Sequence, residues 1–383
     1  MNRNLWPSEE KLNTALYNAR YRIDKNMEKN GLCFPSEVIT DNRYLIIENT
    51  SWTAGFWPGT LWLCYELSGD DRYRKRAEKL LRSFYTRIEK KLYVDHHDLG
   101  FIYSLACVSA YKITGNEKAR EAAIEAAEHL SKRFVEKSKM ITAWGDISNM
   151  KNPESNFYII DCMLNIPILY WAYHETGEEK YKIIADEHAM TTRKTNLRPD
   201  GSTYHKFYFD VETGEPLYGK TAQGFSDDSA WSRGQSWAVY GFALNYSENK
   251  EPEILNAFKR VTDYFSAHLP EDLVPYWDFI FTEGDEPRDS SAALIYICGI
   301  LEMLKNLPED NDIMRYEAIA GKMLNNIIDK YASTPDDETD GLILHVTGSK
   351  PHNEAVDGIG SYADYYYMEI LARLLLDKWN PYW

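Results

Sequence analysis

Tyr65-Glu66-Leu67-Ser68-Gly69-Asp70-Asp71 joins an apolar helix to a polar one. Gly69 supplies a left-handed C-cap, and the acidic pair after it suits the positive end of a second helix dipole. The same tail recurs as Tyr111-Lys112-Ile113-Thr114-Gly115-Asn116-Glu117 and as Tyr173-His174-Glu175-Thr176-Gly177-Glu178-Glu179. The interval between these glycines accommodates two helices and two loops. Weaker turns near Tyr246-Ser247-Glu248-Asn249 and Lys305-Asn306-Leu307-Pro308 continue the alternation. Apolar helices are therefore expected at about 55–68, 98–114, 157–176, 232–247, 290–305 and 362–376. Their amphipathic partners fall at about 9–29, 72–90, 117–136, 179–194, 253–268 and 311–331. An apolar helix covered by an amphipathic one implies an inner and an outer layer, because only the inner set lacks a wide polar face. Six such hairpins predict an all-α, (α/α)6 barrel as a single domain over residues 1–383. An open solenoid would need polar capping repeats, and none is visible.

Composition narrows the function. A net charge of −16 argues against nucleic acid and anionic membranes as partners. Eleven Trp and 28 Tyr in 383 residues are an unusually large aromatic complement, of the kind that stacks on sugar rings as well as filling a core. Cys33, Cys64, Cys107, Cys162 and Cys298 lack a CxxC spacing and read as free thiols of a reducing compartment. Met1 to Ser8 has no apolar core of signal-peptide length, and the longest apolar run, Ala292 to Leu304, is too short and interrupted to span a bilayer. A cytoplasmic protein, monomeric or weakly self-associating, is expected. No Gly-rich phosphate loop, GxSxG elbow or dinucleotide fingerprint occurs, so no cofactor is expected.

The unusual residues cluster just before the inner helices. Trp52-Thr53-Ala54-Gly55 precedes the first, His97-Asp98 the second, Trp144 and Asn156 to Asp161 the third. Trp231-Ser232-Arg233-Gly234-Gln235-Ser236-Trp237 opens the fourth, Arg288-Asp289 the fifth and Tyr362-Ala363-Asp364 the sixth. If the inner helices run parallel, these N-termini meet at one mouth and favour an anion. Asp98 reads either as an N-cap or as half of an acid/base pair. Asp161, alone in Tyr158-Ile159-Ile160-Asp161-Cys162-Met163-Leu164, loses water and so gains the raised pKa that a general acid needs. His96-His97-Asp98 suggests a metal, but adjacent side chains diverge and no HExxH or i, i+4 His pair exists, so no metal site is expected. His205 is either a core His bonded to backbone or a donor to substrate. Arg233, between two Trp, suits a carboxylate and a sugar face, or else an ion pair to Asp227 or Asp228. The stretch from Arg198 to Ala230 lacks helical periodicity, and Ser202 to Asp210 alternates as a short hairpin over the pocket would.

Taken together, Asn49 to Gly59, Asp95 to Ser104, Thr142-Ala143-Trp144-Gly145, Ile160 to Asn165, Tyr204 to Asp210, Trp231 to Trp237 and Tyr276-Trp277-Asp278-Phe279 resemble the unsaturated glucuronyl hydrolases, glycoside hydrolase family 88. The resemblance runs from about residue 45 onward. It implies an (α/α)6 barrel acting on unsaturated oligosaccharides from glycosaminoglycans (chondroitin, hyaluronan, heparin type), left by polysaccharide lyases. Protonation at C4 of the terminal uronic acid, addition of water at C5 and opening of the hemiketal release the neighbouring sugar. By resemblance Asp161 is proton donor and base for water, and Asp98 the second essential carboxylate. His205, Gln223 and Arg233 contact the uronate and the water, Trp52, Trp144, Trp231 and Trp237 shape the sugar site, and His97 orients its neighbours. Gly348 to Glu354, before the last inner helix, is where a sulfated amino sugar would be met, and Ser349 and Lys350 are the candidates to bind it. The rival readings are an unsaturated rhamnogalacturonyl hydrolase acting on pectin fragments, a sugar epimerase of similar barrel shape, and a non-catalytic oligosaccharide-binding protein.

Overall fold

The computed structural model describes residues 1–145 and 156–383. Its polar helices are α1 (Glu9–Asn30), α3 (Asp71–Glu89), α6 (Glu117–Ser131), α8 (Glu179–Thr195), α10 (Pro252–Ala267) and α12 (Asn311–Lys330). Between them run α2 (Phe56–Ser68), α4 (Leu99–Tyr103) continued through a π turn (Ser104–Val108) into α5 (Ser109–Thr114), α7 (Pro167–Thr176), α9 (Ser232–Asn249), α11 (Ser290–Asn306) and α13 (Ser361–Leu375). The expected inner and outer sets are thus borne out. Local chemistry sets their ends. Ser8, Asp70, Asn116 and Asp310 each accept a backbone N–H of the helix they precede. Gly69, Gly115 and Gly177 take the left-handed C-cap at φ 68°, 69° and 74°, where any other residue would be strained.

Burial separates the two layers. In α3 the buried positions Tyr73, Ala77, Leu80, Leu81, Phe84 and Ile88 form one stripe, whereas α11 is buried from Ser290 through Leu304 on every side. The inner helices pack neighbour to neighbour, with α13 against α2 closing the ring.

The third inner element departs from expectation. Helix is expected from residue 157, but Phe157–Ile159 is a strand, Ile160–Leu164 a 3-10 turn, and the α-helix begins at Pro167. The strand pairs antiparallel with Lys206–Phe209, which pairs in turn with Pro216–Lys220. Long-range pairing with the alternating Lys206–Phe209 segment overrides the apolar run's own helical potential. None of the helices among the described residues is long and apolar enough to cross a membrane.

Candidate active site

The six inner helices present their N-terminal ends to one mouth, where a cavity of about 320 Å³ opens. Trp52, from before α2, and Asp98, from before α4, form one side. Trp144, Ile159 and Asp161 precede α7, and Trp231 and Arg233 start α9. His205, Ala222 and Gln223 complete the wall from the small sheet and the loop after it. Backbone pairing holds these flanks in register: His97 N–H donates to the Ala143 carbonyl at 2.8 Å, Ala143 N–H to Phe157 at 3.1 Å, and Ile160 N–H to His205 at 3.0 Å.

Asp98 occupies the N-cap position of α4, yet its side chain makes no capping bond. Its carboxylate instead meets two imidazoles, His96 at 3.2 Å and His97 at 3.3 Å, and accepts from the Asn165 amide at 3.4 Å. Burial works to raise its pKa, but the histidines and the amide outweigh it and hold the group below the ordinary carboxylate value. Asp161 is the opposite case. Its Oδ2 is buried with no hydrogen-bond partner, and burial followed by the charge of Asp98 pushes its pKa up to about 7, against the opposing pull of Arg233 and the Trp237 indole. One residue links the pair: Asn165 also reaches the Asp161 carbonyl at 3.3 Å and accepts Phe101 N–H at 2.8 Å. Gly100 makes this possible, because a Cβ there would lie 2.3 Å from the Asn165 carbonyl oxygen.

The tautomer of His205 follows from its neighbours. Its Nδ1 accepts the backbone N–H groups of Ala222 and Gln223 at 3.2 and 3.3 Å, so the proton sits on Nε2. That Nε2 is 3.9 Å from Asp161 Oδ2. Burial first, and nearby cations second, keep the ring neutral. His97 is likewise neutral, lowered to about 4 by burial, and its ring stands edge-on to Trp144.

Arg233 pairs with Asp289, and with neither Asp227 nor Asp228 as the ion-pair alternative supposed. Its guanidinium also donates to the Thr347 and Gly348 carbonyls, reaches Gln223 Oε1 at 3.5 Å, and lies over the rings of Trp231 and Tyr362. Trp237 is fully buried beneath the cavity. Lys206 lies over the rings of Trp144 and Phe157.

A family model described as Glycosyl Hydrolase Family 88 matches residues 29–374. The chain belongs to glycosyl hydrolase family 88. It is 44% identical over 380 residues to an unsaturated chondroitin disaccharide hydrolase of Streptococcus pneumoniae, spanning 98% of this chain and 94% of that one. Identity to an unsaturated glucuronyl hydrolase of Bacillus sp. is 40%, over 91% and 93% of the two chains. An unsaturated glucuronyl hydrolase from Streptococcus agalactiae superposes with a TM-score of 0.95 at 42% identity, covering 99% of this chain and 95% of that one. A mutant of the Streptococcus agalactiae enzyme complexed with dGlcA-GalNAc6S superposes at 0.87 and 40% identity, covering 98% and 94%. The chain is accordingly a glycoside hydrolase.

In this family 88 hydrolase the loop before α13 places other residues on the cavity than those expected. His352 and Glu354 line it. Ser349 is buried behind them, its hydroxyl 2.7 Å from His352 Nδ1, and Lys350 is half-buried at the head of a turn closed by Asn353 N–H, away from the lining. Sequence reasoning placed Asp289 and Tyr362 at the mouth without a role and gave none to Asn165. The structure makes Asp289 and Tyr362 partners of Arg233, and Asn165 the link between Asp98 and Asp161. For Asn165 a signal existed: a polar residue buried in an apolar run, like Asp161 four positions earlier.

Proposed function

We propose that this cavity hydrates the C4=C5 double bond of a terminal unsaturated uronic acid, releasing it from the sugar that follows. The observation that carries the reading is two carboxyl groups on one cavity in opposite settings. Asp161 has a buried, unpartnered Oδ2, which raises its pKa, and Asp98 is held by two imidazoles and the Asn165 amide, which keep it ionised. Neutral Asp161 gives its proton to C4, and the C4=C5 electron pair forms the new C–H bond. Positive charge develops on C5 and the ring oxygen, facing the carboxylate of Asp98. Asp161, now a carboxylate, takes a proton from water as the water oxygen bonds to C5, which restores the acid. The hemiketal then opens: the C5–ring oxygen bond breaks as C5 becomes a ketone and the ring oxygen takes the hydroxyl proton, which leaves C1 a hemiacetal. The bond from C1 to the neighbouring sugar breaks as C1 becomes an aldehyde and the leaving oxygen is protonated, with no attack on the anomeric carbon and so no second-carboxylate nucleophile of the ordinary kind.

The Nε2–H of His205, the Gln223 amide and Arg233 offer donors to the uronate carboxylate and the water, while Trp52, Trp144 and Trp231 supply apolar walls for the sugar face. His97, neutral and buried, orients Asp98. The substrate class we favour is the unsaturated disaccharide of chondroitin type, because the relatives at 43–44% identity carry that activity in their names. Ser349 and Lys350 stand outside the cavity lining, on the loop that carries His352 and Glu354 to it, and are assigned to a sulfated amino sugar that reaches past the cavity beyond the scissile bond. An unchanged preference for sulfated over unsulfated disaccharides in Lys350→Ala would remove that assignment. Five free thiols, four of them buried, favour the cytoplasm as the working compartment. We take the enzyme to act as a monomer or weak homo-oligomer.

The test is the absorbance of the conjugated double bond, followed on lyase-generated chondroitin, hyaluronan and heparin disaccharides with Asp161→Asn alongside. Loss of absorbance with the native protein and not with the variant supports the reading. Persistent absorbance on all three, with loss on unsaturated rhamnogalacturonan fragments, would transfer the activity to pectin.

A further inference from the structure

The inner ring has a second end, where its helices finish, and a cavity of about 500 Å³ lies there, lined among others by Lys112, Tyr170, Glu248, Lys305 and Trp383. Trp383 is set between α4, α9 and α13. Its ring is parallel to Tyr366 within 11°, edge-on to Phe101 at 5.9 Å and within 6.2 Å of Tyr240. The indole N–H donates to Glu369 Oε2 at 3.0 Å.

Phe101 is the link between the two ends. On its other side the ring meets Trp52 at 5.4 Å and Trp237 at 5.3 Å, and Tyr366 lies 5.7 Å from Trp237. The backbone N–H of Phe101 holds Asn165, the residue that joins Asp98 to Asp161. One aromatic layer, Phe101, Trp237 and Tyr366, thus divides the mouth cavity from the far one, and Trp383 underlies it.

We infer that Trp383 is a positioning residue for the mouth, sealing the far end of the barrel so that water does not reach the floor beneath Asp161. The inference rests on the role proposed for Asp161. The groups acting on that carboxyl belong to the mouth side, Asp98 before α4, Arg233 on α9 and His205 just before the strand Lys206–Phe209, or to the layer itself, Trp237 on α9 and Tyr366 on α13. What the far end can add is solvent. Truncating the indole would extend a polar-lined, water-accessible cavity up to the aromatic layer and leave Phe101 and Tyr366 without the ring they pack on. Water then passes between them to the buried Oδ2 of Asp161, and its hydration favours the charged form.

The experiment is the pH profile of kcat for the native chain, Trp383→Ala, Trp383→Leu and Trp383→Phe, on whichever unsaturated disaccharide the native protein turns over best. In the Ala variant the alkaline limb should move down by about one pH unit, in the Leu variant by less, and in the Phe variant not at all, with KM within about twofold throughout. Should the Ala variant fail to fold, the Leu and Phe variants carry the comparison. Limbs that coincide across the series, with kcat merely scaled, overturn the seal. If the native protein turns over no unsaturated disaccharide, the proposed reaction falls instead, and carboxyl NMR titration of Asp161 in the same proteins decides the seal: an unmoved titration overturns it.

Discussion

Glu302 and Glu369 are enclosed at the far end of the barrel and Asp161 is largely enclosed at its mouth, yet the two ends treat a carboxyl group in opposite ways. Both oxygens of Glu302 are answered, by Ser247 and Arg373. Both oxygens of Glu369 are answered as well, by Tyr240 and Arg373 on one side and Trp383 on the other. Burial alone would raise the pKa of Glu302, but Arg373 and Lys305 bring it below the ordinary value. Asp161 has no such neighbour for Oδ2, and the charge that acts on it most strongly, that of Asp98, repels its ionised form. Saturated partners make a strut, and a carboxyl left incomplete makes an acid.

The hardest blow to this contrast is Asp161→Asn. It should lower kcat at pH 6 by about 10³-fold or more while disaccharide still binds, read by double-bond absorbance and by calorimetry. Arg373→Met should strike the other end, leaving two buried carboxylates uncompensated and lowering stability by about 3–5 kcal/mol in urea unfolding; a near-neutral result would mean that the strut is replaceable by packing. Asp98→Asn is expected to cost about 10²-fold in kcat, less than Asp161→Asn because it removes stabilisation and leaves the proton source. The smallest effect sharpens the contrast through pH. Asp161 binds a proton in the folded state up to about pH 7, against 3.8 for an aspartate in the unfolded chain, so the folded chain holds more protons than the unfolded one between these values. Stability from this group is therefore full below about pH 4 and declines as pH rises toward 7. Asp161→Asn removes that decline: urea midpoints of variant and native should agree near pH 4, and the variant should be the more stable by about 1–2 kcal/mol at pH 8. The same protonation makes native turnover fall as pH rises through about 7.

Much of the architecture was legible because it is written locally. Gly69, Gly115 and Gly177 each follow an apolar helix with a Ser or Thr before them, and each closes its helix onto a tyrosine carbonyl. Helix period and capping need no distant partner, so the twelve-helix alternation could be read directly. The site residues named from sequence mostly line one cavity for the same reason, since they stand at helix starts. What escaped depends on long-range contact. The strand at Phe157–Ile159 exists because Lys206–Phe209 pairs with it. Asp289 captures Arg233 from another inner helix, although Asp227 and Asp228 are nearer in the chain. The loop of His352 and Glu354 turns through left-handed conformations at Asn353, Ala355 and Asp357, which nothing in its composition announces.

The ion pair between Arg233 and Asp289 bears on how quickly a ligand arrives. With that guanidinium neutralised by a buried aspartate, a disaccharide carrying carboxylate and sulfate approaches a chain of net charge −16 with little attraction to offset the overall repulsion. Raising the salt from about 10 to 150 mM shortens the Debye length from about 30 to 8 Å. Encounter, and with it kcat/KM for anionic disaccharides, should then quicken with salt, the reverse of the behaviour of an enzyme that draws its substrate in by charge. Lys206, beside the mouth, would be the residue to replace if it slowed instead.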